Sequence, residues 1–291
     1  MSRKTTKTTL EVLTARNLKQ EQWLLHGFST RNGGVSSAYG KGSLNLGITK
    51  HDQQPNVEHN RELFLREVGA VNEESELWAL IGVRQIHSAV IHRVTGMLGS
   101  VLVGDGLITN TPRALLTVKT ADCVPVLLAD PGRRAVGAFH AGWKGTLARI
   151  VEKGVGELRR HFGSKPEDIR AAIGPCIHAC CYEVGEELRE KFDAQFPYAG
   201  ELFSEVFDYQ ALSVKFPMLF LNQRPPGHGE PAVKIHLNLV EANRRQLVEA
   251  GVRQENIEVV DECTSCNTDL LFSHRKEAGM TGRMMGAIGI R

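Results

Sequence analysis

An α+β fold, with mixed β-sheets and helices packed against them, is the class this sequence predicts, and three observations predict it. Short apolar or β-branched runs recur along the chain, each bounded by Gly, Pro or Asp. Among them lie segments whose apolar residues repeat with helical spacing. No internal repeat and no clean linker divides residues 23–291, so one domain is expected there, after a polar, flexible tail over 1–22.

The elements follow in order. Leu24 to Leu46 is rich in Gly and reads as loops with short strands at most. Val57, Leu63, Phe64 and Val68 lie at helical spacing, with Gly69 as a stop. Strands are predicted at Leu77–Val83, Ala89–Val94 and Ala114–Lys119. Two more, Val124–Leu128 and Ala135–Phe139, are joined by the turn Asp130-Pro131-Gly132-Arg133. Leu147, Ile150, Val151, Val155 and Leu158 form one stripe, which predicts a helix from Thr146 to His161 ended by Gly163. Arg170–Ile173 reads as a strand, 184–195 and 238–250 as helices, and Ile257–Val260 and Met284–Ile290 as late strands. Residues 197–232 mix Pro, Gly and aromatics without period and are expected to form an insertion or lid.

Composition excludes several classes. With 291 residues, 23% charged, and a net charge of +2, the chain offers no basic face for nucleic acid. No apolar run approaches membrane-spanning length and no secretory signal opens the sequence, so a cytoplasmic protein is expected. Six cysteines in so long a chain are not a disulfide scaffold, and in a reducing compartment they are free to bind metal or do chemistry.

Three clusters carry candidate chemistry. Thr120-Ala121-Asp122-Cys123-Val124-Pro125 sets an acid and a thiol beside a strand, and His140 follows in Phe139-His140-Ala141-Gly142-Trp143-Lys144-Gly145. The intervening strand–turn–strand pattern lets a hairpin bring Cys123 and His140 together. The helix start after Lys144 is a natural anion site. Gln85-Ile86-His87-Ser88 stands at another strand boundary, and His87 is either a turn histidine or a third ligand. Two His and one Cys make a catalytic zinc set with an open fourth position, and such a metal lowers the pKa of bound water towards about 7. Asp122 either orients a ligand or caps a turn. Arg31, in Ser29-Thr30-Arg31-Asn32-Gly33-Gly34, suits a forked contact to phosphate or carboxylate, but a solvated loop arginine fits the same pattern. Cys176 and Cys180 are separated by three residues rather than the two of a deaminase signature, and Cys263-Thr264-Ser265-Cys266 has CxxC spacing without a thioredoxin-like context; these four and Cys181 are read as structural, with a structural zinc among them one option.

Taken together, the motifs are collinear over residues 24–290. They are Ser29-Thr30-Arg31, Gly33-Gly34-Val35-Ser36, Ser43-Leu44-Asn45-Leu46-Gly47, Gln85-Ile86-His87, Gly104-Asp105-Gly106, Thr120-Ala121-Asp122-Cys123, and His140-Ala141-Gly142-Trp143-Lys144-Gly145. Gly174-Pro175-Cys176-Ile177, Cys181-Tyr182-Glu183-Val184, Phe272-Ser273-His274-Arg275 and Thr281-Gly282-Arg283 complete the series. This series resembles the laccase-domain, YfiH/YlmD-type purine nucleoside phosphorylases, formerly called polyphenol oxidases. The resemblance implies a single YfiH-like domain and a catalytic zinc on His87, Cys123 and His140. It implies phosphorolysis of adenosine, inosine, guanosine and methylthioadenosine, with adenosine deamination, so that the partners are purine nucleosides and phosphate. Arg31, Asn45 and Lys144 are then expected to contact substrate. Ser88 stands where the family usually has Gly.

Three rival readings are distinguishable. A cysteine hydrolase would use Cys123 as nucleophile and His140 as base on an amide, such as a peptidoglycan precursor, without zinc. A copper oxidase would need many imidazoles, commonly as His-x-His. The chain has 11 His and no such pair, although a single copper on the same ligands is conceivable. A non-catalytic scaffold would close its zinc with four ligands.

Overall fold

Two β-sheets stacked face to face, each with helices on its outer side, carry the candidate site. A computed structural model describes residues 10–96, 101–207 and 233–291. They divide into two compact units, Met1–Ile177 with Leu239–Arg291, and His178–Asn238.

In the larger unit, five strands form the first sheet. These are β1 (Val12–Leu13), β2 (Leu24–Ser29), β4 (Ala79–Gly82), β7 (Ala114–Thr120) and β15 (Met284–Ile290), in the order β1-β2-β15-β7-β4. The second sheet has β5 (Ile91–Val94), β6 (Gly106–Thr109), β8 (Val124–Asp130), β9 (Ala135–Ala141), β10 (Arg170–Ile173) and β14 (Ile257–Val259), in the order β14-β10-β8-β9-β6-β5. A further short strand, β3 (Asn32–Ser36), lies in the glycine-rich region. Both sheets mix parallel and antiparallel pairs. The fold is the α+β class with mixed sheets.

Strand alternation explains the layers. Leu116 and Val118 of β7 and Ile288 of β15 meet Leu127, Val136 and Ala138 of the second sheet in one buried core. The intervening residues Leu115, Met285 and Ala287 face the other way, onto Phe64 and Leu65 of α2 (Gln54–Glu67). On the far side of the second sheet lies α4 (Ile150–Phe162), its buried stripe being Ile150, Val151, Val155 and Leu158. Glycine permits the close approach: a Cβ on Gly154 would stand 2.5 Å from the Phe139 ring. Because both faces of each sheet are covered, β2, β8, β9 and β15 are buried along their whole length.

The expected helix over 146–161 is interrupted. A short α3 (Trp143–Leu147) precedes α4, and Arg149, in the left-handed region at φ 59°, separates them. The expected tail also ends sooner than residue 22. Val12 and Leu13 pair with Ser29 and Phe28, and α1 (Arg16–Lys19) buries Leu18 completely. His26 fixes this segment by accepting the Ala15 N–H at 3.0 Å. Burial outweighs the other influences on His26 and brings its pKa down to about 4. Buried apolar residues are too few in that segment to announce order from sequence alone.

The smaller unit holds β11 (Glu183–Val184), α5 (Glu186–Asp193), β12 (Phe203–Phe207) and β13 (Val233–Leu237). Its three strands pair antiparallel in the order β11-β13-β12. The expected insertion over 197–232 includes β12, and its residues 208–232 lie outside the described residues. After it the chain re-enters the larger unit as α6 (Leu239–Glu249). Among the described residues no helix is long and apolar enough to cross a membrane.

Candidate metal centre

Hairpin register brings the first two candidate residues together. In the β8–β9 hairpin Pro125 pairs with His140 and Val124 with Ala141, so Cys123 arrives beside Gly142. The hairpin turn is closed by Asp130, whose Oδ1 accepts the Gly132 and Arg133 N–H groups at 2.8 and 3.1 Å. Only glycine fits at 142, where a Cβ would stand 2.9 Å from Cys123 Sγ and 3.2 Å from His87 Cδ2. His87 comes from the loop that follows β4. Its Nε2 is 4.0 Å from Cys123 Sγ, and its ring meets the His140 ring edge-on with centroids 4.9 Å apart.

The three side chains offer ligand atoms within 4.8 Å of one another. A tetrahedral ion bound at about 2.0–2.3 Å holds its ligands roughly 3.5 Å apart, so a slight contraction seats one here. Three protein donors leave a fourth position for water or substrate. The donor set fits a metal of the zinc type.

Asp105 organises this group, and residue-level reasoning assigned it no role. The His140 Nδ1–H donates to its Oδ1 at 2.8 Å, a buried contact that directs Nε2 towards the other two candidates. The same carboxylate accepts the Ile86, His87 and Ser88 N–H groups at 3.2, 3.0 and 2.6 Å and the Ser88 hydroxyl at 2.8 Å. This nest of donors holds His87 in the left-handed region at φ 58°, an unfavourable conformation for a side chain with a Cβ. Ser88 therefore adds a hydroxyl contact that glycine lacks. Burial pushes the Asp105 carboxyl up, but the His140 and Ser88 hydrogen bonds outweigh it and hold it well below the ordinary carboxylate range. The available signal was Gly104-Asp105-Gly106 ahead of an apolar strand. A Cβ at 104 would lie 2.7 Å from the Val90 carbonyl, and one at 106 would lie 2.8 Å from Ile91.

The electrostatics of Cys123 and His140 are mutual. Burial would raise the thiol, but the charge and hydrogen bond of His140, then those of His87, bring it down to about 6. Burial would lower His140, but Cys123 and Asp105 raise it to about 9. Both effects favour a thiolate at neutral pH, the form that binds metal.

The other predicted site residues are placed differently. Asp122, at φ 94°, points its carboxylate away from His140: Oδ1 accepts the Thr264 and Ser273 hydroxyls, each at 2.7 Å, and Oδ2 accepts the Arg275 N–H at 2.6 Å. Arg31 is a clasp. Its guanidinium donates to the carbonyls of Tyr39 at 2.8 Å and Thr268 at 2.5 Å, pairs with Glu277 at 3.1 Å, and lies over the Phe272 ring. Asn45 is fully buried and satisfied, donating to the Gly47 carbonyl and Asp52 and accepting from the Gly47 and Arg283 N–H groups. Lys144 is exposed, its ammonium 5.4 Å from the Trp143 ring centre, on a helix only five residues long. Cys176 and Cys263 are buried and adjacent through a backbone bridge.

Residues 25–291 match the family model described as multi-copper polyphenol oxidoreductase laccase, and the chain belongs to that family. It is 37% identical over 91% of its length, and 88% of the relative's, to a protein of Deinococcus radiodurans named purine nucleoside phosphorylase. It is 31% identical to Purine nucleoside phosphorylase YlmD of Bacillus subtilis, covering 95% of this chain and 92% of that protein. Among solved structures it resembles the Bacillus licheniformis hypothetical protein YfiH, with TM-score 0.78, 33% identity and coverage of 98% of this chain and 100% of the other.

Proposed function

We propose that this chain is a purine nucleoside phosphorylase acting through a zinc ion held by His87, Cys123 and His140. The observation that carries the reading is the three-donor group with an open position, its histidine fixed by Asp105. The names of its relatives agree with it. The substrates are adenosine, inosine, guanosine and S-methyl-5′-thioadenosine, with hydrolytic deamination of adenosine as a second activity.

In phosphorolysis an oxygen of hydrogen phosphate bonds to ribose C1′ as the C1′–N9 bond breaks. The electron pair leaves with the purine, and the phosphate proton ends on a purine nitrogen, giving free base and ribose 1-phosphate. When bound, the metal supplies a Lewis acid that steadies negative charge developing on substrate. Asp105 holds the His140 Nδ1–H, so that Nε2 is the nitrogen that would face a metal and give up its proton to it. His140 and His87 keep Cys123 ionised. Copper can take the same donors, and metal analysis of the purified protein separates the two ions.

A low thiol pKa also suits a nucleophile, but a cysteine hydrolase has no use for His87 as a second imidazole on the sulfur. With phosphate and inosine, the purified protein is expected to release hypoxanthine, and Cys123→Ala to release none. Undiminished release by that variant overturns the assignment of the site.

A further inference from the structure

Three basic side chains gather at the end of the first sheet from which the His87 and Cys123 loops leave. Lys119 lies on the α2 face of β7, in phase with Leu115 and opposite Met285 of β15. Arg283, two residues before Met285, continues the same face. Arg61 stands one helical turn before Phe64 and Leu65, the residues that α2 presents to that sheet. One residue, Leu46, ties the two arginines together: Arg61 Nε donates to the Leu46 carbonyl at 3.0 Å, and the Leu46 N–H donates to the Arg283 carbonyl at 2.9 Å. Gly47 allows this approach, since a Cβ there would meet the Arg283 stem at 2.6 Å.

The cluster has no internal neutralisation. Among the described residues no carboxylate lies within ion-pair distance of Arg61, Lys119 or Arg283, and the side-chain bonds of the two arginines go to the Leu46, Thr281 and Gly282 carbonyls. All three residues are partly buried. Burial first, then the charges of Arg61 and Arg283, push the Lys119 ammonium below the ordinary lysine range. Burial likewise lowers Arg61, against the pull of Glu58. Three half-buried, mutually repelling cations are costly unless an anion joins them.

The cluster is also coupled to the metal centre through the backbone. The Lys119 N–H donates to Gln85 Oε1 at 2.9 Å, and Gln85 Nε2 donates to the Lys119 carbonyl at 2.7 Å. Gln85 is two residues from His87, and Lys119 four from Cys123. Arg31 and Asn45, by contrast, spend their polar atoms on the protein itself.

We infer that Arg61, Lys119 and Arg283 form the oxyanion site that holds inorganic phosphate as the co-substrate of the proposed phosphorolysis. The inference rests on that reading for its ligand. Two guanidinium forks and an ammonium match a tetrahedral dianion, the arginines by paired donors and the lysine as a point charge.

The test is calorimetric titration of the full chain with inorganic phosphate, without nucleoside. Wild type is expected to bind. Lys119→Gln and Arg283→Gln should each weaken binding at least ten-fold, Lys119→Arg should restore it to within about three-fold, and Lys153→Gln, on the exposed face of α4, should leave it unchanged. Thermal melts confirm that each variant is folded. No binding by wild type, or equal binding by the glutamine variants, overturns the site. Binding of adenosine monophosphate but not of inorganic phosphate overturns the assignment to free phosphate. Turnover then separates the two claims. Phosphate binding that behaves as expected without release of base leaves the site standing and removes the proposed reaction. Release of base with an unaltered phosphate KM in Lys119→Gln does the reverse.

Discussion

Asp105 and Asp122 make an instructive pair. Both are buried carboxylates that gather loop donors, and each serves a different region. Asp105 joins the loop of His87 to strand β9 through His140. Asp122, adjacent in sequence to Cys123, turns away and gathers Thr264, Ser273 and Arg275 of the late segment. Proximity along the chain suggested Asp122 as the orienting acid, yet residues 35 apart supply the actual pair. Asp122 lies in the bend between β7 and β8 with its backbone in the left-handed region at φ 94°, and that local reversal aims its side chain away from the one that follows it.

The largest effect that separates the two is expected on metal binding. Asp105→Asn replaces an acceptor oxygen with an amide, loses the hold on His140, and should weaken zinc affinity about 10–100-fold in competition with a chelator. Asp122→Ala should leave zinc affinity within about two-fold. Equal losses of zinc in both variants would erase the distinction.

Asp122 is expected to show in stability rather than in metal binding. Asp122→Ala strands two buried hydroxyls and an N–H and is expected to cost about 3 kcal/mol, read as a lowered denaturation midpoint at unchanged m-value. A loss below about 1 kcal/mol would show that Asp122 is not a structural hub.

His26 sharpens the comparison, being a buried titratable group with no place in the site. Its folded pKa of about 4 lies below the ordinary imidazole value of 6.5, so the unfolded chain takes up the proton first as pH falls. The contribution is fully present above pH 6.5 and is lost as pH drops to about 4. At roughly 1.4 kcal/mol per pH unit this amounts to about 3 kcal/mol. His26→Gln should flatten that part of the stability curve relative to wild type. Coincident curves would mean that His26 opens to solvent before the fold does.

Much of the fold was legible because the strands are short, covered and bounded by turn residues. Ala114–Lys119, Arg170–Ile173 and Met284–Ile290 agree with β7, β10 and β15 to within one residue. The break at Arg149 was not legible, since a left-handed arginine carries no compositional sign and the apolar stripe runs through it. In the candidate site, the Cys123–His140 pair followed from hairpin logic. Arg31 stayed undecided because a guanidinium in a glycine-rich loop looks the same whether it grips an anion or its own carbonyls. Lys119 and Arg61 were invisible, being single basic residues on an ordinary strand and helix that only the sheet register brings near Arg283.

One consequence of the topology concerns synthesis. Strand β15 lies between β2 and β7, pairing Ile290 with Leu24 and Met284 with Thr120. The first sheet therefore cannot close until residue 290 has left the ribosome, and until then β2 and β7 each present a bare edge. A nascent chain halted before Met284 would retain the β8–β9 hairpin, local in sequence, beside an open sheet. Chaperone capture of such stalled chains should fall sharply as their length passes the last strand.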